Sequence, residues 1–97
     1  MDLQDTLIKV SLLKQSSKDG IAKLAAHLVQ AEEQYFYALS HAPDEPQEGL
    51  EEFVEFAKMA KQAWLEEVRT LKQIIYTIRS KMGLTCPILQ EPTGAQQ

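Results

Sequence analysis

The sequence predicts an all-α chain, an antiparallel helical hairpin of two long amphipathic helices that completes a bundle with another chain. Three observations predict it. Proline occurs only at Pro43, Pro46, Pro87 and Pro92, which leaves two long blocks where nothing forces the backbone out of a helix. In both blocks apolar residues recur at alternating steps of four and three, the heptad spacing of a coiled-coil seam. Residues that start and stop helices gather between the blocks and after the second.

In the first block the seam is Leu3, Leu7, Val10, Lys14, Ser17, Ile21, Leu24, Leu28, Ala31, Tyr35 and Ala38. Only Lys14 and Ser17 interrupt it, beside Ser16, Ser17, Lys18, Asp19 and Gly20, residue types that prefer caps and turns to helix interiors. Two readings follow: one helix from about 2 to 41 with a weak point, or a short helix ending near Gln15 and a second starting near Asp19. The unbroken register favours one helix, because a turn has no reason to preserve it.

The second block opens with Asp44, Glu45, Pro46 and Gln47, a capping acid and a first-turn proline with Gln three residues on. Its seam is Leu50, Val54, Ala57, Lys61, Trp64, Val68, Leu71, Ile75, Ile78 and Met82. The stop is Lys81 in the last turn and Gly83 suited to a left-handed C-cap, with Leu84 able to fold back on Ile78 or Arg79. A helix from about 47 to 82 results. The two helices match in length and are joined by a few residues, so they should lie antiparallel. Residues 1–83 form the helical domain and 84–97 a flexible tail in which Pro87, Ile88 and Leu89 can dock back.

Two seams do not use all the apolar side chains. Phe53, Phe56, Ala60 and Ala63 make a second stripe on the second helix, and the first adds Ile8, Leu12, Leu13, Val29, Phe36 and Leu39 outside its seam. Either a break near Ser17 supplies a third helix from the same chain, or a second chain covers the surplus, since large apolar patches seldom stay exposed. The expected partner-binding residues are Phe53, Phe56, Ala60, Ala63, Phe36 and Leu12. Tyr35, Phe36 and Tyr37 fan over about 200° of a helix, so at least one must face away from the hairpin core.

Charge excludes some partners. The chain has 97 residues and a net charge of -4, which argues against nucleic acid and anionic membrane surfaces. A single cysteine, Cys86, rules out an internal disulfide and fits a reducing compartment, the cytosol or nucleus; no secretory start and no segment of membrane-spanning length are seen. Residues 42–57 hold Asp44, Glu45, Glu48, Glu51, Glu52 and Glu55 with no base, while bases dominate 58–82. That order complements the helix macrodipole and also offers an acidic end for steering a partner.

No enzyme chemistry is assembled. His27 and His41 are preceded three residues earlier by Leu24 and Ala38, so the Glu and His pairing of a helical di-metal site is missing. Adjacent pairs such as Glu66 and Glu67 point about 100° apart on a helix and cannot share a metal or a proton. No phosphate-binding loop or flanked serine nucleophile occurs. The expectation is a non-catalytic interaction module, a structural or adaptor subunit of a homo- or hetero-oligomer, with no cofactor, metal or catalytic residue. The alternative is a regulatory module holding a small ligand or metal in its helical core.

Overall fold

In the computed structural model, residues 3–13, 17–43 and 49–85 are described. They form α1 (Leu3–Leu12), α2 (Lys18–Ser40) and α3 (Glu51–Lys81), with no strand among the described residues. The molecule is elongated, 55 × 28 × 15 Å.

The first block is therefore two helices: the reading with a break near Ser17 to Gly20 holds, and the preference for one continuous helix is corrected. Ser17 is the N-cap of α2, with extended backbone (φ -111°, ψ 152°). Its hydroxyl oxygen accepts from the Gly20 N–H at 2.9 Å, satisfying one of the donors that every helix start leaves open. A continuous helix would have lost that bond and placed Lys14 and Ser17 on the buried stripe. The register survives the break because α1 and α2 both pack on α3, so each needs its own apolar stripe whether or not they are continuous.

Helix α2 runs antiparallel to α3, its buried stripe being the predicted Leu24, Leu28, Ala31, Tyr35 and Ala38. Near the hairpin's turn, Trp64 Nε1 donates to the Ala38 carbonyl at 2.8 Å. Farther along, Arg79 Nη1 meets Glu32 Oε2 at 2.9 Å. Side chains lean towards their own helix's N-terminus, so on antiparallel helices the two lean towards each other and span the offset between their backbones. Ile21, placed on the seam by its spacing, is 45% exposed, because it lies at the end of the pair where α3 is about to stop.

Helix α1 runs parallel to α3 along another face. Gln4 Nε2 donates to Thr70 Oγ1 at 3.4 Å near one end. Lys81 Nζ donates to the carbonyls of Ser11 and Leu13 at the other. The Ser11 carbonyl is in the last turn of α1 and that of Leu13 just past it, where acceptors are unpaired and the dipole is negative, so the lysine acts as a C-terminal cap supplied from another helix. Val10 and Ile74 are fully buried in consequence.

The end of α3 is as predicted. Gly83 has φ 72°. Its N–H bonds the Ser80 carbonyl at 3.2 Å and the Leu84 N–H bonds that of Arg79 at 2.8 Å, the paired bonds of a Schellman motif. The start differs in its described part: α3 begins at Glu51 after Leu50, which makes no side-chain cap. The Asp44–Gln47 signal lies outside the described residues, as do Lys14 to Ser16 and the tail from Cys86, including its docking segment.

Candidate protein-interaction surface

The second apolar stripe of α3 is one end of a longer one. Steps of three and four carry Phe53, Phe56, Ala60 and Ala63 on through Glu67, Thr70, Ile74, Thr77 and Lys81. Helix α1 sits on the C-terminal part: Thr70 and Lys81 bond it, and Ile74 is closed over where Leu3 and Thr6 line a shared cavity. Ten residues span only about 15 Å, so α1 cannot also cover the N-terminal part.

That uncovered part carries large apolar groups. Phe53 is 64% exposed, Phe56 74% and Met59 67%, with Ala60 and Ala63 also exposed between and beside them. At 100° per residue, Phe53, Phe56, Ala60 and Ala63 fall within an arc of about 80°, and Met59 lies on its outer edge. Glu52 shares that outer edge, Glu66 and Glu55 lie about 20° and 40° beyond Met59, and all three are exposed with no base among them. Lys58 lies about 60° farther round the helix from Glu55. It reaches back to that carboxylate at only 3.7 Å.

Four of the six residues expected to bind a partner are thus brought onto one face, and two are not. Phe36, 60% exposed, lies about 120° round α2 from its buried stripe. Leu12, 75% exposed, is on the side of α1 opposite its packing face, at the far end of the molecule beside Lys81. Tyr35 enters the core and Tyr37 stays exposed, stacked on His41 with ring centroids 4.0 Å apart. Met59 was missed. Its signal was present, three residues after Phe56, but it falls at the margin of the stripe rather than on its axis.

Other chemistry finds little to build on. His41 ends α2 and its Nδ1 lies 2.9 Å from the Tyr37 carbonyl. His27 is half-buried on the flank of α2 and lines the cavity beside α1 with Gln30, Gln34 and Ile74. That cavity holds about 210 Å³, below the roughly 300 to 1,000 Å³ usual for small-molecule sites. Among the described residues no group of three or more His, Cys, Asp or Glu side chains is placed to hold a metal ion. Among them, too, no helix is long and apolar enough to cross a membrane. No protein family, curated protein or solved structure matches the chain.

Proposed function

We propose that the chain is a non-catalytic helical interaction module, a structural or adaptor subunit that works by packing the Phe53 to Ala63 face of α3 against a helix of another chain. The observation that supports this reading is the unequal cover of one stripe. Where α1 lies on it, Ile74 is fully buried; where α1 ends, two phenylalanines and a methionine of the same helix stand in solvent. Contiguous exposed groups of this size mark interfaces more often than free surface. Aromatic side chains, each able to bury roughly 150 to 250 Å², are the usual anchors. The small Ala60 and Ala63 beside them let a second backbone approach closely.

Reading the molecule instead as a ligand-binding regulator would place the ligand in the cavity of about 210 Å³ beside His27 or in one of about 340 Å³ lined by Ile21, Lys81, Met82 and Gly83, and neither joins the exposed phenylalanines into its walls. The interaction is tested by a photo-activated cross-linking side chain at Met59, compared with one at the exposed Gln73, in the cells that make the protein. Adducts should form from Met59 and disappear when Phe53 and Phe56 are both replaced by Ser, with helicity by circular dichroism retained. Equal adduct yields from both positions, or adducts at Met59 that survive the double substitution, would contradict the assignment.

A further inference from the structure

Resting on that reading, we infer the chemistry of the occupant: a basic amphipathic helix of another protein, about three to four turns long, that lies on the Phe53 to Ala63 face in line with α1. Helix α1 is the template, since it already occupies the same stripe. Its contact residues Leu3, Leu7 and Val10 follow the i, i+4, i+7 spacing, and Gln4 and Thr6 flank them where α3 presents Thr70 and the cavity wall. The vacant part demands the same apolar spacing, but its flank differs. There Glu52 stands on the edge of the face with Glu66 and Glu55 behind it on the same side, and a complementary helix must set long Lys or Arg side chains along that side.

The same rim argues against a second copy of this chain. An antiparallel pair of α3 helices would seat Phe53 over Ala63 and Phe56 over Ala60 of the second copy, which satisfies the packing. It would also bring Glu52 against Glu66 of the second copy, and the symmetry repeats that like-charge contact farther along the same edge. Sterics alone would allow a homodimer; charge selects a basic partner.

The experiment titrates two capped peptides of about 14 residues, each with Leu at i, i+4 and i+7 positions, into the full isotope-labelled chain; one carries Lys on the flanks and the other Glu. With the Lys peptide, amide shifts should concentrate at residues 50–67 and leave Lys18–Leu28 unmoved. The Glu52→Gln, Glu55→Gln, Glu66→Gln triple variant should bind it about five- to tenfold more weakly, the sum of three exposed ion pairs, and with less salt dependence. Phe53→Ser with Phe56→Ser should abolish binding. Equal binding of both peptides would overturn the basic occupant while leaving a docking face in place. Sedimentation showing a dimer that the Phe substitutions dissociate would overturn it in favour of a second copy. No binding by either peptide, with a monomeric chain and no Met59 adducts, would remove both this inference and the interaction module beneath it.

Discussion

Ile74→Ala tests the packing of α1 most sharply, because Ile74 is buried by that helix while Phe56, on the same stripe, is not. Ile74 has no exposed surface. Replacing it removes three carbons, a transfer loss of roughly 2.4 kcal/mol at about 0.8 kcal/mol each. A cavity already lies beside the site, so collapse is poor and a further cavity cost follows, within the 2 to 5 kcal/mol range of such truncations. A domain of this length shifts its midpoint by about 4 to 8 °C per kcal/mol, so the melting temperature should fall by at least about 10 °C. Phe56→Ala should stay within about 0.5 kcal/mol in the isolated chain. Urea and thermal unfolding followed by circular dichroism measure both. A loss below about 0.5 kcal/mol for Ile74→Ala, or a Phe56→Ala loss equal to it, would refute the unequal cover of the stripe.

Three further substitutions probe the devices that end and start the helices, each read by the same unfolding measurements. Ser17→Ala removes the hydroxyl bonded to Gly20 and should cost about 1 kcal/mol, whereas no loss would mean that α2 starts elsewhere. Gly83→Ala should cost about 1 kcal/mol through its left-handed backbone alone, since nothing lies within 4 Å of the added carbon. Lys81→Met keeps most of the side chain's length and apolar stem but takes the donor from the Ser11 and Leu13 carbonyls. A loss of about 1 kcal/mol is expected, diminishing in a variant lacking α1.

Periodicity made the α2–α3 pair legible, because burial against a single neighbour imposes one stripe per helix and the residues on it can be counted. Leu24, Leu28, Ala31, Tyr35 and Ala38, with Val68, Leu71, Ile75 and Ile78, were all found this way. Ile74 was not, since it faces a second neighbour and lies off the seam. The break before α2 was visible in the residue types around Ser17 but was outweighed by the register, which says which face is buried and nothing about continuity. For the interaction surface, Phe53, Phe56, Ala60 and Ala63 were legible as surplus apolar residues. What spacing alone did not reveal was that the surplus is half satisfied within the chain. That depends on the length of α1 and on where Lys81 holds it. Phe36 and Leu12 were included because they were apolar and off the seam, a criterion that does not ask whether such residues share a face.

On the proposed function, the Phe53 to Ala63 face is covered in the working state of the protein. Carbene footprinting tests it most directly, comparing the purified chain with the same chain labelled inside its own cells. Phe53, Phe56, Met59 and the control residues Ile8 and Tyr37 are all well exposed in the isolated chain and should label readily there. In cells, labelling of Phe53, Phe56 and Met59 should fall several-fold while that of Ile8 and Tyr37 stays the same. Equal labelling of all five in both settings would mean that the face stays open in the cell and carries no partner.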